Sequence, residues 1–572
     1  MKVKPDELRS HRWFGTNDLR AFGHRSRIKQ MGYSEEDFAG KPVVGIINTN
    51  NDISPCHFHF KQRSEEIKRG VLQAGGFPLE IPAMGLAENF QKPTTMLYRN
   101  LLAMETEELL RSYPIDGAVL MGGCDKTLPG LIMGGISAGL PLIAFPAGPM
   151  MRGCWKGKTL GSGSDTWKYW DELRAGNISE CDWRDIESGI ARTAGHCMTM
   201  GTASTVTAMT DAMGLTLPGA SSIPAVMAEH ARLASATGRM AVEVIQEDRR
   251  PTQIITEDAV HNAVVTTLAL GGSTNAVVHL VAMARRAGFN LSPEAFNDLA
   301  QTVPLLANVR PAGKYLMEDF YDAGGSRALL KELSPLLKLH TQTINGHTLE
   351  DNISDAEVID SDVITSLVNP VSKLPSLRVL KGNLCPDGAL IKPTSMDPAK
   401  LKHRGPALVF DSYKELKERI DEADLAINES TVLVMRGAGP VGGPGMPEWG
   451  MMPIPKKLLD KGVRDLVRIS DARMSGTSYG TCILHVTPES AVGGPLAAVQ
   501  TGDIVELDVK NGSLNVLVDP EEWNNRLAAL KPMTYPDDRG YIKLYRAHVE
   551  QADTGCDFDF LAGIDITEPE IL

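Results

Sequence analysis

The sequence predicts an α/β protein with an N-terminal helix-covered, mostly parallel sheet and a C-terminal β-barrel-like domain with helices. Short apolar runs alternate with helical patterns in the first half of the chain, and beyond about residue 376 the pattern changes to short β runs. At 572 residues the chain is too long for one ordinary hydrophobic core. We therefore expect an N-terminal arm at residues 1–40, an α/β domain at 41–370 and a barrel-like domain at 371–572.

The elements of the first half alternate at the short intervals that a parallel sheet requires. A Gly-, Lys- and Trp-rich stretch at residues 153–176 is expected to be a surface loop or lid. Long helical patterns fill roughly the hundred residues after Gly201. The predicted strands are residues 41–48, 77–82, 116–121 and 140–145, and the predicted helices include 60–74, 96–111, 128–133, 182–193, 257–270 and 274–287.

The second half of the sequence predicts a β-barrel or a β-sandwich. A Pro- and Ser-containing connection at residues 358–376 marks the domain boundary, and the β runs that follow are short and separated by turn residues. The predicted strands are residues 377–380, 407–410, 431–435, 467–470, 504–509 and 514–518.

The composition excludes several classes of function. A net charge of −13 and a pI near 5.6 argue against nucleic acid or an anionic membrane as the main partner, and leave small molecules as ligands. We find no apolar stretch long enough to cross a bilayer and no signal-peptide core at the N-terminus, so a cytoplasmic location is expected.

Three of the eight cysteines share one setting. Cys56, Cys124 and Cys197 each lie in a Gly- or Pro-containing turn just before a predicted helix. Three thiolates suit an iron–sulfur cluster that leaves one iron position open. The alternative is three buried thiols, and the spacing alone favours that alternative, because it matches no compact cluster motif.

Carboxylates form a second candidate group. Glu88, Asp125 and Glu448 lie in three separate predicted loops, and oxygen ligands of this kind suit Mg²⁺. For any one of them a solvated surface or a helix cap is the simpler interpretation. Lys126 beside Asp125 is either an ion-pair partner or, as an uncharged amine, able to capture CO₂ as a carbamate that adds an oxygen ligand.

A third candidate is Ser475, in a tight turn after the predicted strand 467–470. The sequence lacks Gly-x-Ser-x-Gly and a nearby His/Asp arrangement, which disfavours a hydrolase. A serine near a divalent ion can instead lose its proton and act as a base, and the alternative is a turn serine. Residues 123–127 lack the glycine of a phosphate-binding loop, and prolines interrupt the glycine-rich stretch 437–445.

Taken together, these segments resemble the dihydroxy-acid dehydratase/phosphogluconate dehydratase family. The likeness runs in order from about residue 40 to the C-terminus. Its motifs are NNDISPC at residues 50–56, GCDKT at 123–127, CMTMGTAST at 197–205, GGSTNA at 271–276 and DARMSG at 471–476.

The sugar-acid branch is the closer likeness. Residues 311–318 and the tail 548–561 are similar to aldonate dehydratases that act on L-arabinonate or D-xylonate. Two residues depart from the family pattern: His57 follows the first cysteine and His196 precedes the third. The resemblance implies a [2Fe–2S] cluster on Cys56, Cys124 and Cys197, Mg²⁺ on Glu88, Asp125, carbamylated Lys126 and Glu448, and Ser475 as base with Thr477 beside it.

The implied activity is the dehydration of a pentonate or hexonate to a 2-keto-3-deoxy acid, by a homodimer or homotetramer. The nearest alternative is the dihydroxy-acid dehydratase of branched-chain biosynthesis. A phosphogluconate dehydratase is less favoured because no added basic cluster is evident. From another class, a non-catalytic iron–sulfur protein is the competing hypothesis, although such a protein needs none of Lys126, Glu448 and Ser475.

Overall fold

The computed structural model describes residues 2–563, 568, 570 and 571. Its first half is built on a four-stranded parallel sheet in the order β2-β1-β3-β4. The central strands are buried at every position because helices cover both faces. All four carboxyl ends therefore meet at one edge. The strands are β1 Val43–Asn48, β2 Phe77–Pro82, β3 Gly117–Gly122 and β4 Leu142–Pro146, which confirms the four predicted strands.

Six helices accompany these strands. α6 is buried at all twelve positions, and its glycines let α5 approach closely, since a Cβ on Gly134 would lie 2.3 Å from the Ala103 carbonyl oxygen. The N-terminal segment packs on the sheet through Trp13, Phe14 and Phe38. The helices are α1 His11–Phe14, α2 Leu19–Gln30, α3 Glu35–Phe38, α4 Phe60–Gln73, α5 Met96–Ser112 and α6 Thr127–Ala138.

Residues 153–176 are not the expected loop. They form a hairpin, β5 Gly153–Trp155 and β6 Lys158–Leu160, and then helix α7 Ser162–Arg174. The segment is ordered by its own small core, in which Trp155, Leu160 and Tyr169 pack against the following helix α8 Glu180–Ile190. The glycines that suggested a loop lie in the hairpin and at the start of α7.

A layer of helices follows and ends in an irregular connection at residues 354–377. α9 and α13 are almost wholly buried, as the small and apolar residues of their sequences require. The helices are α9 Thr202–Ala212, α10 Ala228–Gln246, α11 Pro251–Ile254, α12 Glu257–Ala269, α13 Thr274–Arg286, α14 Pro293–Leu299, α15 Met317–Asp322, α16 Gly325–Glu332 and α17 Leu349–Ile353.

The second half contains a closed eight-stranded barrel in the order β10-β11-β12-β8-β7-β14-β13-β9. The predicted α/β fold class with a barrel-like second part is thus confirmed, although two barrel strands, β8 and β12, were missed. The strands are β7 Arg378–Gly382, β8 Cys385–Ile391, β9 Lys402–Phe410, β10 Val432–Met435, β11 Val467–Ser470, β12 Cys482–Thr487, β13 Ile504–Asp508 and β14 Ser513–Val516.

The C-terminal segment returns to the first half of the chain. Arg99 on α5 donates to the carbonyl oxygens of Gly555 and Cys556, and Arg286 on α13 forms a buried two-bond ion pair with Asp557. These contacts hold the C-terminal segment against helices α5 and α13 of the first half. The remaining helices are α18 Tyr413–Arg419, α19 Lys456–Leu459, α20 Pro520–Ala528 and α21 Gly540–His548.

Candidate active site

The candidate residues converge where the carboxyl edge of the sheet faces the barrel. The sheet side supplies five groups from the turns after β1, β2 and β3, where ligands of α/β proteins usually collect, and Cys197 from the segment before α9. The barrel supplies the rest from the connections after β10 and β11. The sheet side carries Cys56, Glu88, Cys124, Asp125, Lys126 and Cys197, and the barrel side carries Glu448, Ser475 and Thr477.

Three carboxylates surround one buried lysine. The Lys126 Nζ lies 3.1 Å from Glu88 Oε2, 3.2 Å from Asp125 Oδ2 and 3.0 Å from Glu448 Oε1. Lys126 is 0% exposed. Glu448 reaches it from 322 residues further along the chain. The structure therefore brings together all four residues that the sequence resemblance assigned to Mg²⁺.

The charges of this cluster explain its protonation. Burial and the neighbouring Arg473 oppose a charged Lys126, but the three carboxylates outweigh both and hold its pKa above the ordinary value. Burial raises the pKa of Glu448, with Glu88 adding to it. For Glu88 the attraction of Lys126 and Arg473 overcomes burial and lowers the pKa to about 2. The lysine is thus an ammonium in this structure.

Arg473 and two threonines hold the carboxylates in place. Arg473 is fully buried and donates through Nη1 to Glu448 Oε1 at 3.1 Å and through Nη2 to Thr94 Oγ1 at 3.0 Å. Thr94 in turn donates to Glu88 Oε1 at 2.8 Å, and Thr95 donates to Glu88 Oε2. Sequence reasoning assigned no role to these three residues. Arg473 lies inside the quoted motif 471–476, which was the available signal.

The three cysteine thiols face one another. The pKa of the Cys56 thiol is raised, first by its hydrogen bond with the Cys124 thiol, then by burial, and further by the nearby Cys124 and Cys197. Burial, with Asp125 adding to it, raises the pKa of Cys197 to about 12. The three thiols thus lie near one another. Their number and softness fit iron with one position left for a ligand from outside the protein.

His57 ties the first two cysteine turns together. Its Nε2 accepts hydrogen bonds from the backbone N–H groups of Gly123 at 3.2 Å and Cys124 at 3.0 Å. Nδ1 therefore carries the ring proton and faces the Ser54 hydroxyl at 3.1 Å. Burial lowers the pKa of His57 to about 3, so the ring stays neutral. The neutral ring fixes the position of Cys56 relative to Cys124.

His196 sits beside the third cysteine. Its Nδ1 lies 3.1 Å from the Cys197 carbonyl oxygen, and burial lowers its pKa to about 4. The buried Nε2 has no hydrogen-bond partner within the described residues. Both histidines that depart from the family pattern are thus buried and neutral.

Ser475 pairs with Thr477 across a tight turn. Their hydroxyl oxygens are 2.9 Å apart, and no carboxylate or imidazole is hydrogen-bonded to Ser475 in the described part of the chain. Asn275 fixes the turn from α13 by donating to the Met474 carbonyl oxygen at 3.0 Å. Gly163 permits the close approach of α7, because a Cβ there would lie 2.0 Å from Thr477 Oγ1. No role for Asn275 had been assigned, although its motif was quoted.

One cavity of about 550 Å³ connects these groups. Its size suits a small organic ligand. Among residues 2–563, 568, 570 and 571, no group of three or more His, Cys, Asp or Glu side chains is arranged around a vacant metal position. At the carboxylates, the Lys126 ammonium stands at the point where the three side chains meet. The residues already discussed that line the cavity are Glu88, Gly163, Cys197, Glu448, Ser475 and Thr477.

The sequence matches known domain families in both halves. Residues 41–352 match the dihydroxy-acid/6-phosphogluconate dehydratase N-terminal domain, and residues 362–556 match the C-terminal domain of the same family. In the described residues, no helix is both long and apolar enough to cross a membrane.

Three similar proteins cover nearly the whole chain. A 6-deoxy-6-sulfo-D-gluconate dehydratase of Pseudomonas putida is 53% identical, with 99% of each chain covered. An L-arabinonate dehydratase of Rhizobium leguminosarum bv. trifolii is 44% identical, over 98% of this chain and 97% of its own. A D-xylonate dehydratase of Caulobacter vibrioides is 38% identical, over 97% and 96%.

Proposed function

The chain belongs to the dihydroxy-acid/6-phosphogluconate dehydratase family of hydro-lyases, and we propose that it dehydrates a pentonate or hexonate to the 2-keto-3-deoxy acid. The observation that carries this proposal is the position of Ser475. Its hydroxyl lines the same cavity as Glu88 and Glu448, two members of the cluster around Lys126. The proposed base and two of the proposed metal ligands therefore face one small ligand space.

The donor sets fit the cofactors that we propose. Glu88, Asp125 and Glu448 converge on one point with hard oxygens suited to Mg²⁺, and the thiols of Cys56, Cys124 and Cys197 suit a [2Fe–2S] cluster. When bound, these groups supply positive charge for an enolate and a Lewis acid for a departing hydroxyl. The proton transfers discussed next involve the substrate, side chains of the protein and solvent.

Lys126 adds a further oxygen ligand if it captures CO₂. An ammonium has no lone pair to attack CO₂, so the lysine must first lose its proton. In this structure the carboxylates keep it protonated. We propose that a divalent cation bound by the carboxylates would remove the attraction that keeps Lys126 protonated, so that the lysine would lose its proton to solvent and carbamate formation would accompany metal binding.

Ser475 is the proposed base. As an alkoxide its Oγ removes the proton at C2 of the substrate, while the Thr477 hydroxyl, 2.9 Å away, donates to that oxygen and stabilises its charge. The electron pair left at C2 forms the double bond to C3 as the 3-hydroxyl departs as hydroxide, which takes the proton from the Ser475 hydroxyl, so that one water forms and the alkoxide is restored. The enol then takes a solvent proton at C3, its own hydroxyl proton passes to solvent, and the 2-keto-3-deoxy acid results.

The substrate class is tested with a panel of sugar acids. Purified protein, reconstituted with iron and sulfide and supplied with Mg²⁺, is given pentonates, hexonates and 2,3-dihydroxyisovalerate, and 2-keto acid formation is followed. We expect turnover of at least one sugar acid and little turnover of the branched-chain acid. The reverse preference would assign the protein to branched-chain biosynthesis, the activity named for relatives at 36–38% identity.

A further inference from the structure

The wall of the active-site cavity carries one charged group that the proposed chemistry does not use. Three charged side chains line the cavity, namely Glu88, Glu448 and Lys92. The two glutamates are bonded to Lys126, Arg473, Thr94 and Thr95. Lys92 is exposed, and in the described residues its ammonium makes no hydrogen bond and no ion pair.

Three neutral side chains in the same wall also have N–H donors without a hydrogen-bond partner in the described residues. The side chains of Asn89, Trp167 and Trp449 line the cavity, and none of them donates to an acceptor within the described residues. The other polar side chains of the lining differ, since Thr166 donates to the Ser162 carbonyl oxygen and Ser475 pairs with Thr477. The two glutamates in this wall are already bonded, so the wall offers one positive charge and the N–H groups of three side chains that have no acceptor in the described residues.

The position of Lys92 suits the far end of a short substrate. Lys92 lies two residues before Thr94, so the Cα atoms of Lys92 and Thr94 are at most about 7 Å apart. Thr94 is hydrogen-bonded to Glu88. A six-carbon chain with C–C bonds of about 1.5 Å spans roughly 6 Å when extended. A sugar acid with its first carbons at Ser475 and the carboxylates can thus present its other end to Lys92.

We propose that Lys92, with Asn89, Trp167 and Trp449, forms a subsite for an anionic group on the terminal carbon of the sugar acid, and that this group is a sulfonate. The inference rests on the proposed dehydration of a sugar acid. A sulfonate carries one negative charge and three acceptor oxygens, which match one ammonium and several N–H donors. A phosphate monoester, at about −1.5 to −2, calls for more positive charge than a single lysine provides.

The test compares three hexonates in four proteins. The substrates are D-gluconate, 6-deoxy-6-sulfo-D-gluconate and 6-phospho-D-gluconate, and the proteins are wild type, Lys92→Met, Lys92→Arg and Lys168→Met. Lys168 is the matched control, because it is an exposed lysine beside Trp167 that does not line the cavity. The readout is kcat/KM for 2-keto-3-deoxy acid formation.

We expect wild type and Lys168→Met to favour the sulfonated hexonate over both others. Lys92→Met should lower kcat/KM for that substrate by about tenfold to a hundredfold, as for a lost hydrogen bond to a charged group, and leave D-gluconate unchanged. Lys92→Arg should retain most of the preference. An equal loss on all three hexonates, or a preference for the phosphorylated one, would overturn the assignment.

A binding measurement distinguishes failure of the proposed subsite from failure of the proposed reaction. Calorimetric titration of the holoenzyme with 6-deoxy-6-sulfo-D-gluconate should show tighter binding in wild type than in Lys92→Met. If no sugar acid is turned over but this difference persists, the proposed reaction fails and the subsite stands. If sugar acids are turned over but neither binding nor kcat/KM depends on Lys92, the subsite alone is refuted.

Discussion

At the scale of single residues, the central chemical role that we propose is that of Ser475. Replacing Ser475 with alanine removes the hydroxyl that lies 2.9 Å from the Thr477 hydroxyl. We expect kcat to fall by at least the 10²- to 10⁴-fold typical of a lost general base, while the visible absorption of the reconstituted cluster stays unchanged. Steady-state kinetics and absorption spectra of the same preparation measure both.

The control for that variant lies in the same turn. Ser478 is buried, and its hydroxyl has no hydrogen-bond partner in the described part of the chain. Ser478→Ala should therefore keep both activity and absorption. If Ser475→Ala were as active as Ser478→Ala, Ser475 would not be the base.

His57 is expected to control cluster assembly. His57→Ala leaves the buried N–H groups of Gly123 and Cys124 without their acceptor, at a cost of about 1–3 kcal/mol each. The Cys124 turn should loosen, and iron and sulfide bound per chain after anaerobic reconstitution should fall. His340→Ala, at an exposed histidine, is the control. Full iron content in His57→Ala would show that the ring does not position the cysteines.

The candidate site residues were assigned through the family resemblance, but their supporting contacts were not predicted. Cys56 and Ser475 lie in quoted motifs, whereas Glu88 lies in none. Arg473, in contrast, reaches Thr94 across 379 residues of sequence, and no local pattern reveals such a contact. The sequence also left the protonation of Lys126 open, because it depends on three carboxylates from separate loops.

At the scale of elements, the barrel loop that leads to Glu448 is held by a second buried carboxylate. Glu489 accepts from the backbone N–H groups of Val441 and Gly442 and from Gln551, and Asp471 nearby binds the N–H of Ala438. Burial, with the charge of Asp471, raises the pKa of Glu489 to about 7. The loop is thus tied to a group that titrates near neutrality.

The raised pKa of Glu489 predicts that the free energy of unfolding depends on pH. Because the folded-state pKa lies above the ordinary value of 4.5, the folded protein binds this proton more tightly than the unfolded chain. The stabilisation is fully present below pH 4.5 and is lost as the pH rises through 7. With about 1.4 kcal/mol per pH unit, the loss is on the order of 3 kcal/mol.

Thermal unfolding midpoints between pH 4.5 and 8 measure this effect. We expect the midpoint of wild type, taken relative to that of Glu489→Gln at each pH, to fall steadily over this interval, since glutamine keeps the shape and does not titrate. A constant difference between the two proteins would contradict the raised pKa.

The sequence analysis missed a strand and a helix-containing segment where turn-forming residues occur within them. β8 contains Pro386, Asp387 and Gly388, which read as a turn, yet its pairing with β7 and β12 closes the barrel. In residues 153–176 the glycines suggested a loop, whereas the packing of Trp155 on Tyr169 orders a hairpin and a helix. In both cases tertiary contacts decided the outcome, and the strands with uninterrupted apolar runs were found.

At the scale of the whole molecule, the site exists only where the two halves meet. The sheet supplies Asp125 and Lys126, and the barrel supplies Glu448, Arg473 and Ser475. The C-terminal segment reinforces this junction through the buried ion pair between Arg286 and Asp557. The free energy of unfolding should therefore depend on the ion pair between Arg286 and Asp557.

Asp557→Ala leaves Arg286 as an unpaired buried charge, which costs about 3–5 kcal/mol. The matched control is Glu550→Ala, whose partner Arg285 is partly exposed, so that about 1 kcal/mol or less is expected. Chemical denaturation should show a much larger loss for Asp557→Ala. Equal losses would mean that the buried pair does not fasten the segment.

The most direct test of the account follows the reaction itself in D₂O by proton NMR. With reconstituted, Mg²⁺-supplied protein and a sugar acid accepted in the substrate panel, we predict one 2-keto-3-deoxy acid per substrate consumed, with one solvent deuteron at C3. This result requires loss of the 3-hydroxyl and reprotonation of an enol. Consumption without a deuteron at C3, or no consumption of any sugar acid, would contradict the proposed dehydration.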